Sequence, residues 1–174
     1  IAQRFNHLVG KPYFKLPEPL FTTVPKVMSP ADPTKKMSKS MGQKHYISVF
    51  ASPELITKQI KSAVTDTGDT PHGQMSAGVE NLFEILKAAD AKDVYQSLME
   101  DYNHGTLKYV DLKNAVSQEL INISDQMTRN KKELLDRKRE VKEQIKDSAS
   151  NIRKVARQTI DEVKELTGLF TAAV

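Results

Sequence analysis

The 174-residue chain has no cysteine, so neither a disulfide framework nor a thiolate metal site can form, which suits a reducing cytoplasm. Its four histidines, His7, His45, His72 and His104, are too scattered for a zinc spacing, and no metal site is expected. No apolar run approaches the roughly 18 residues needed to cross a bilayer. The opening Ile1-Ala2-Gln3-Arg4-Phe5 lacks the basic-then-apolar order of a signal peptide, so a soluble protein is expected. Aromatics make up 6% and hydrophobics 39%, modest but enough for helices that each bury one face, which excludes disorder throughout. There is no Gly-x-Gly-x-x-Gly or Gly-x4-Gly-Lys run, and hence no self-contained phosphate cradle. A strong charge bias is also missing. Lys plus Arg less Asp plus Glu is 26 − 22 = +4, which permits a nucleic acid partner without demanding one.

What is present is mostly helical periodicity. Ile1, Phe5, Leu8 and Val9 share one face of a helix that Gly10 ends; it is in phase at residue 1 with no cap and no initiator Met, so more chain is expected ahead of it. Prolines at 12, 17, 19, 25, 30 and 33 forbid a long helix through Gln43, and short strands are expected at Lys26–Met28 and Tyr46–Phe50. Ser52, Pro53 and Glu54 form an N-cap, a first helical residue and a first-turn acid. They open a helix to about Val64 with Leu55, Ile56, Ile60 and Val64 inward. Residues 65–76, rich in Thr, Asp, Gly and Pro, read as a linker. Val79, Leu82, Phe83 and Leu86 mark the next helix, then Val94, Leu98 and Tyr102, with Asn103-His104-Gly105 as a break. Three more stripes follow: Leu112 to Met127, Leu134 to Ile145, and Ile152 to Leu166 before a Gly168 cap. A mainly α chain ending in a small helical bundle is expected.

The stretch Asp32-Pro33-Thr34-Lys35-Lys36-Met37-Ser38-Lys39-Ser40 carries the most chemistry. Lys36-Met37-Ser38-Lys39-Ser40 resembles the signature loop of class I aminoacyl-tRNA synthetases, and with Val27-Met28-Ser29 ahead of it the segment is similar to bacterial tryptophanyl-tRNA synthetases. Arg4-Phe5-Asn6, Ala63-Val64-Thr65-Asp66-Thr67, Gly78-Val79-Glu80-Asn81-Leu82 and Thr167-Gly168-Leu169 match that family in order. The resemblance covers the whole chain, as about the C-terminal half of such an enzyme. Met41-Gly42-Gln43 departs from it: the family usually has an Asp and an Asn after the loop, and the form here is closer to other class I synthetases. The family's His-x-Gly-His-type turn has no counterpart here.

The resemblance implies that residues 1–76 are the end of a Rossmann-like α/β catalytic domain with its loop and connecting helix, and that residues 77–174 are an all-helical anticodon-binding domain. It further implies ATP-dependent activation of tryptophan and ligation to tRNA(Trp), with Mg²⁺, in a cytoplasmic enzyme that is homodimeric when full length. Lys36 and Lys39 would be the catalytic cations. Val27 and Met28 would meet adenine, and Lys36, Met37, Ser38, Lys39 and Ser40 would line the ATP site. Half of the nucleotide site is absent, so the chain alone is expected to be inactive. The tyrosyl enzyme, a non-catalytic helical tRNA-binding module and a plain helical interaction protein are the alternatives.

The loop's chemistry can be argued from its residues. When a carboxylate attacks the α-phosphorus of ATP, negative charge builds on the departing pyrophosphate, and pre-placed ammonium groups lower that barrier. Lys36 and Lys39, three residues apart, are expected on one turn facing the same way. Ser38 and Ser40 are expected to bond neighbouring backbone, with Gly42 as a hinge. A solvated Lys and Ser loop is the bland alternative. The second feature is basic: Arg137, Lys138, Arg139, Arg153 and Lys154 are candidate tRNA contacts, within a run that also holds Arg129, Lys131, Lys132, Lys142, Lys146 and Arg157. Interleaved Glu133, Asp136, Glu140, Glu143 and Asp147 equally suit an ion-paired solvated face. Met28, Met75, Met99 and Met127 read as packing, His104 as a turn residue, and Tyr102 and Tyr109 as helix-face packing rather than base stackers.

Overall fold

The computed structural model describes residues 1–66, 68, 70–71 and 73–169; Thr67 and His72, named above, lie outside the described residues. Six α-helices are present among them: α1 (Ala2–Val9), α2 (Pro53–Lys61), α3 (Ala77–Ala88), α4 (Lys92–Asn103), α5 (Tyr109–Asp136) and α6 (Lys138–Thr167), with short 3₁₀ turns at Lys39–Met41 and Gln43–His45. The chain is mainly α, as expected. It divides into two compact units, Phe21–Lys132 on one hand and Ile1–Leu20 with the chain from Glu133 onward on the other.

The unit Phe21–Lys132 holds the core. Ile56 and Ile60, one turn apart on α2, meet Leu82, Phe83 and Leu86 of α3 and Leu112 and Val116 of α5 in one buried cluster, so packing is continuous across residues 76 and 77. Phe83 is edge-on to Tyr95 (centroids 5.5 Å apart) and Tyr102 (6.3 Å), which puts Tyr102 in helix packing. The expected cap forms: Ser52 Oγ accepts from the Leu55 amide at 3.3 Å. Helix α2 stops at Lys61, short of Val64, because other partners take its last polar groups. Lys113 Nζ donates to the Lys61 and Ala63 carbonyls at 3.1 and 2.8 Å, and the Val64 amide turns to the Pro30 carbonyl at 2.9 Å. Burial pushes the Lys113 ammonium below its ordinary range. Ser76 caps α3 and donates to the Thr65 carbonyl at 2.7 Å. Gly78 follows because a Cβ there would run into the Val64 and Thr65 carbonyls.

Two expectations are corrected. No strand forms among the described residues at Lys26–Met28 or Tyr46–Phe50; a single antiparallel bridge joins Met28 to Lys36. On its other side the Met28 backbone is taken by Asn81, whose Oδ1 accepts from the Met28 amide at 3.1 Å while Nδ2 donates to its carbonyl at 3.1 Å. The Tyr46 carbonyl goes to Gln59 Nε2 at 3.1 Å, and Ser48–Ala51 closes a turn, so neither segment is free to pair with another strand. The second correction lies in the last three stripes, which form two helices: α5 runs 28 residues without a Gly or Pro to stop it, and α6 runs 30. The one break is at Arg137 (φ −101°, ψ 24°), and the polar Asp147–Asn151 stretch stays helical. Helix α6 buries no residue, with Ile145, Ile152 and Val155 each more than 60% exposed, so the expected bundle is confined to Phe21–Lys132.

In the second unit, Gly10 ends α1 in the left-handed region (φ 69°), where a side chain would be strained. Asn6 grips Phe14 as Asn81 grips Met28, through its Oδ1 to the amide (2.8 Å) and its Nδ2 to the carbonyl (2.7 Å). Phe5, Tyr13 and Phe14 pack as an aromatic cluster with centroids 4.7 to 5.9 Å apart. Tyr13 Oη donates to Glu162 Oε2 of α6 at 2.7 Å, which lowers the carboxyl's proton affinity and raises that of the phenol.

Candidate functional site: the lysine loop

The loop is built on a short backbone ladder. The Ser29 amide donates to the Lys35 carbonyl at 2.8 Å and the Met37 amide to the Val27 carbonyl at 2.9 Å. Between them Asp32 organises a tight turn, accepting from Thr34 Oγ1 (2.6 Å) and the Thr34 amide (3.1 Å) and pairing with Lys35 at 3.0 Å. The Thr34 hydroxyl first, then Lys35, hold its carboxyl down at about 2. After Ser38 in extended conformation the chain makes the 3₁₀ turn Lys39–Met41. It reverses at Gly42, whose φ of 100° a side chain rarely adopts.

Val27, Lys36, Met37, Ser38 and Lys39 come together around a cleft of about 410 Å³, with Pro25, Lys26, Tyr46 and Ile47 completing its walls. Met28 and Ser40, also expected at the site, do not line it. Lys36 and Lys39 reach the cleft from different elements, not from one turn as expected: Lys36 sits on the bridge to Met28 and Lys39 opens the 3₁₀ turn. An extended residue precedes the turn because Ser38 bonds its amide to the His45 carbonyl at 3.3 Å. Nor, among the described residues, do the Ser38 and Ser40 hydroxyls bond the backbone; they pair with each other at 2.9 Å. Lys39 Nζ lies 5.9 Å from the Tyr46 ring centroid, a cation–π distance. Val27, Met37 and Ile47 also line a hollow of about 200 Å³ with Ile85 of α3 and Leu120 and Ile123 of α5, and Val27 and Ile47 pack against the helical core. An apolar floor ringed by ammonium groups suits a flat, apolar group joined to phosphates. No group of three or more His, Asp or Glu side chains able to hold a metal exists among the described residues.

Lys26, Asn81, His45 and Gln59 escaped sequence reasoning. Asn81 carried one usable signal, a polar residue within the apolar stripe of α3, where it is 4% exposed. Gln59 Nε2 holds the Gln43 carbonyl at 2.6 Å as well as Tyr46, a link between positions 16 residues apart that no local pattern announces.

The basic candidates are all exposed and form no single patch. Arg137 makes a two-point pair with Glu140 (2.8 and 2.6 Å) and Arg139 a looser one with Glu143 (3.4 Å). Lys138, Arg153 and Lys154 have no ion pair among the described residues. Arg153 lies beyond Arg139 by about 21 Å along α6, at ~1.5 Å per residue. No helix of the described residues is long and apolar enough to cross a membrane.

The profile of the family described as "tRNA synthetases class I (W and Y)" matches residues 1–125. The tryptophan–tRNA ligase of Clostridium tetani is 34% identical over 171 residues, covering 97% of this chain and 49% of that protein. That of Wolinella succinogenes is 33% identical over 175 residues, covering 98% and 52%. The crystal structure of tryptophanyl-tRNA synthetase from Mycoplasma pneumoniae aligns with a TM-score of 0.75 at 27% identity, covering 98% of this chain and 53% of that one. The Campylobacter jejuni enzyme complexed with ADP and tryptophan aligns at 0.62 and 26% identity, covering 97% and 51%. The chain thus spans about half the length of the relatives it matches. With most of its length under the family profile and its lysine loop gathered at one cleft, the chain belongs to the class I tRNA synthetases of the tryptophan and tyrosine group.

Proposed function

We propose that this chain is the C-terminal, loop-bearing half of a tryptophan–tRNA ligase. The observation that carries the reading is the cleft at which Val27, Lys36, Met37, Ser38 and Lys39 converge in a chain whose curated relatives are named tryptophan–tRNA ligases. Those names favour tryptophan over tyrosine despite the Met41-Gly42-Gln43 departure. In the proposed reaction a tryptophan carboxylate oxygen attacks the α-phosphorus of ATP, the bond from that phosphorus to the bridging β-phosphate oxygen breaks, and pyrophosphate leaves. A hydroxyl at the 3′ end of tRNA(Trp) then attacks the adenylate's carbonyl carbon, the acyl–phosphate bond breaks and AMP leaves. Val27 meets adenine; Lys36 and Lys39 track charge as it moves onto the leaving pyrophosphate, with Met37 and Ser38 shaping the loop between them. Mg²⁺ bound to the nucleotide would supply further neutralisation of the phosphate charge.

On this reading, residues 1–76 complete a Rossmann-like catalytic domain. Residues 77–174 form an anticodon-binding domain in which Arg137, Lys138, Arg139, Arg153 and Lys154 follow the RNA backbone, in a cytoplasmic enzyme that is homodimeric at full length. This division is one of function and not of packing, for the buried core joins α2 to α3. The test is tryptophan-dependent ATP–pyrophosphate exchange by a full-length synthetase carrying this chain. Exchange that disappears with Lys39→Ala supports the reading; exchange that requires tyrosine overturns it. The separate chain, with only one flank of the nucleotide site, is expected to catalyse none.

A further inference from the structure

Ser29 lies beneath the loop, fully buried. Its Oγ accepts from the Ala31 amide at 3.2 Å and the Asp32 amide at 3.1 Å. A hydroxyl has two lone pairs and one proton, so with both lone pairs engaged the proton goes to the remaining neighbour, His45 Nδ1 at 2.9 Å. That direction makes Nδ1 the acceptor and assigns the ring proton to Nε2. The same serine is held through its backbone by α3, since Asn81 Nδ2 donates to the Ser29 carbonyl at 3.3 Å as well as to that of Met28. One buried residue therefore joins three things: helix α3, the Asp32 turn that leads into the loop, and His45 where the loop returns. The His45 carbonyl in turn accepts from the Ser38 amide at 3.3 Å, closing the circuit next to Lys39.

Resting on the nucleotide reading of the cleft, we propose that Ser29 and His45 are positioning residues that hold Lys36 and Lys39 in register over the cleft through a single directed Oγ–H···Nδ1 bond. They touch no substrate. Their effect passes through the loop backbone: with the bond intact, both ends of the segment Met37–His45 are pinned and only Lys39–Gly42 spans between.

The 174-residue chain, labelled with ¹⁵N and titrated with inorganic pyrophosphate, tests this. Long-range ¹H–¹⁵N spectra at roughly pH 8 are expected to show His45 as the Nε2–H tautomer, and Ser29→Ala to give a mixture of both tautomers. The same variant is expected to speed exchange of the Ser38 amide about tenfold and to weaken the pyrophosphate-induced shift of the Lys39 amide, with Ser29→Thr restoring both. Unchanged exchange at Leu82 and Leu86 reports an intact core. If Ser29→Ala does not fold, His45→Ala carries the same expectations for Ser38 and Lys39, with His45→Asn restoring them. An Nδ1–H tautomer in the wild type, or Ser38 exchange and pyrophosphate response untouched by these variants, overturns the proposal. The expected tautomer and exchange with no pyrophosphate response in the wild type overturns the nucleotide reading instead.

Discussion

Residues Phe21–Lys132 and the chain from Glu133 onward are both helical and both amphipathic, yet they do opposite things with their apolar residues. The first buries Ile56, Ile60, Leu86, Leu112 and Val116 completely. The second runs 30 residues through α6 and buries none, leaving Ile145, Ile152, Val155 and Ile160 in contact with solvent. A hydrophobic period shows that a helix has an apolar face; it does not show that anything in the same chain covers it. The difference has a chemical counterpart. Where the core is continuous, an irregular loop can be held by buried hydrogen bonds from Asn81 and Gln59, and it is there that the lysines converge. Where there is no core, cations stand along an exposed helix, some already engaged by Glu140 and Glu143.

The contrast is sharpest in stability. Phe83→Ala, which empties a core site, is expected to cost about 3–5 kcal/mol, whereas Ile152→Ala should change stability by no more than ~0.5 kcal/mol. Denaturant melts of the two variants against wild type measure both, and equal losses would erase the distinction between the units. Next in size is the loop chemistry: in a full-length synthetase, Lys36→Ala and Lys39→Ala are each expected to slow adenylate formation by about 2.7–4 kcal/mol, with little change in the tryptophan KM. A raised KM at an unchanged rate would make these lysines ground-state binders.

Local chemistry was legible where neighbours in sequence are neighbours in space. Ser52 caps α2 and Gly10 and Gly168 end their helices as read, because caps involve residues within a turn of each other. The loop lysines were legible as residue types but not as geometry, since the bridge that separates Lys36 from Lys39 depends on Met28 and, through it, on Asn81 53 residues away. The merging of three stripes into two helices had no local sign either: nothing between Met127 and Asp136 breaks a helix, and the exposure of Leu134 and Leu135 distinguishes that run from a bundle helix.

A smaller effect is expected on the exposed helix. Reversing charge at Arg137, Lys138 and Arg139 should lower the salt slope of tRNA binding by roughly 2 to 3, since each lost phosphate contact releases fewer counterions. Filter binding at several salt concentrations reads this, and an unchanged slope would reduce these residues to a solvated, ion-paired face. The smallest effect is at Asp32. Its carboxyl is held below the unfolded value, so the turn's stabilisation is present above about pH 4 and is lost as pH falls through the folded value of about 2. Thr34 amide exchange should therefore quicken only in that acid window, and Asp32→Asn should remove the dependence.

On the proposed reading, the chemistry of this chain sits in Phe21–Lys132 and not on α6. The most direct measurement is tryptophan-dependent ATP–pyrophosphate exchange in a full-length synthetase carrying this chain, with Lys39→Ala and the Arg137, Lys138 and Arg139 charge reversal assayed side by side. Lys39→Ala is expected to lower exchange roughly 100- to 1000-fold and the triple reversal to leave it unchanged. A full rate with Lys39→Ala, or a comparable loss with the α6 reversal, would contradict it.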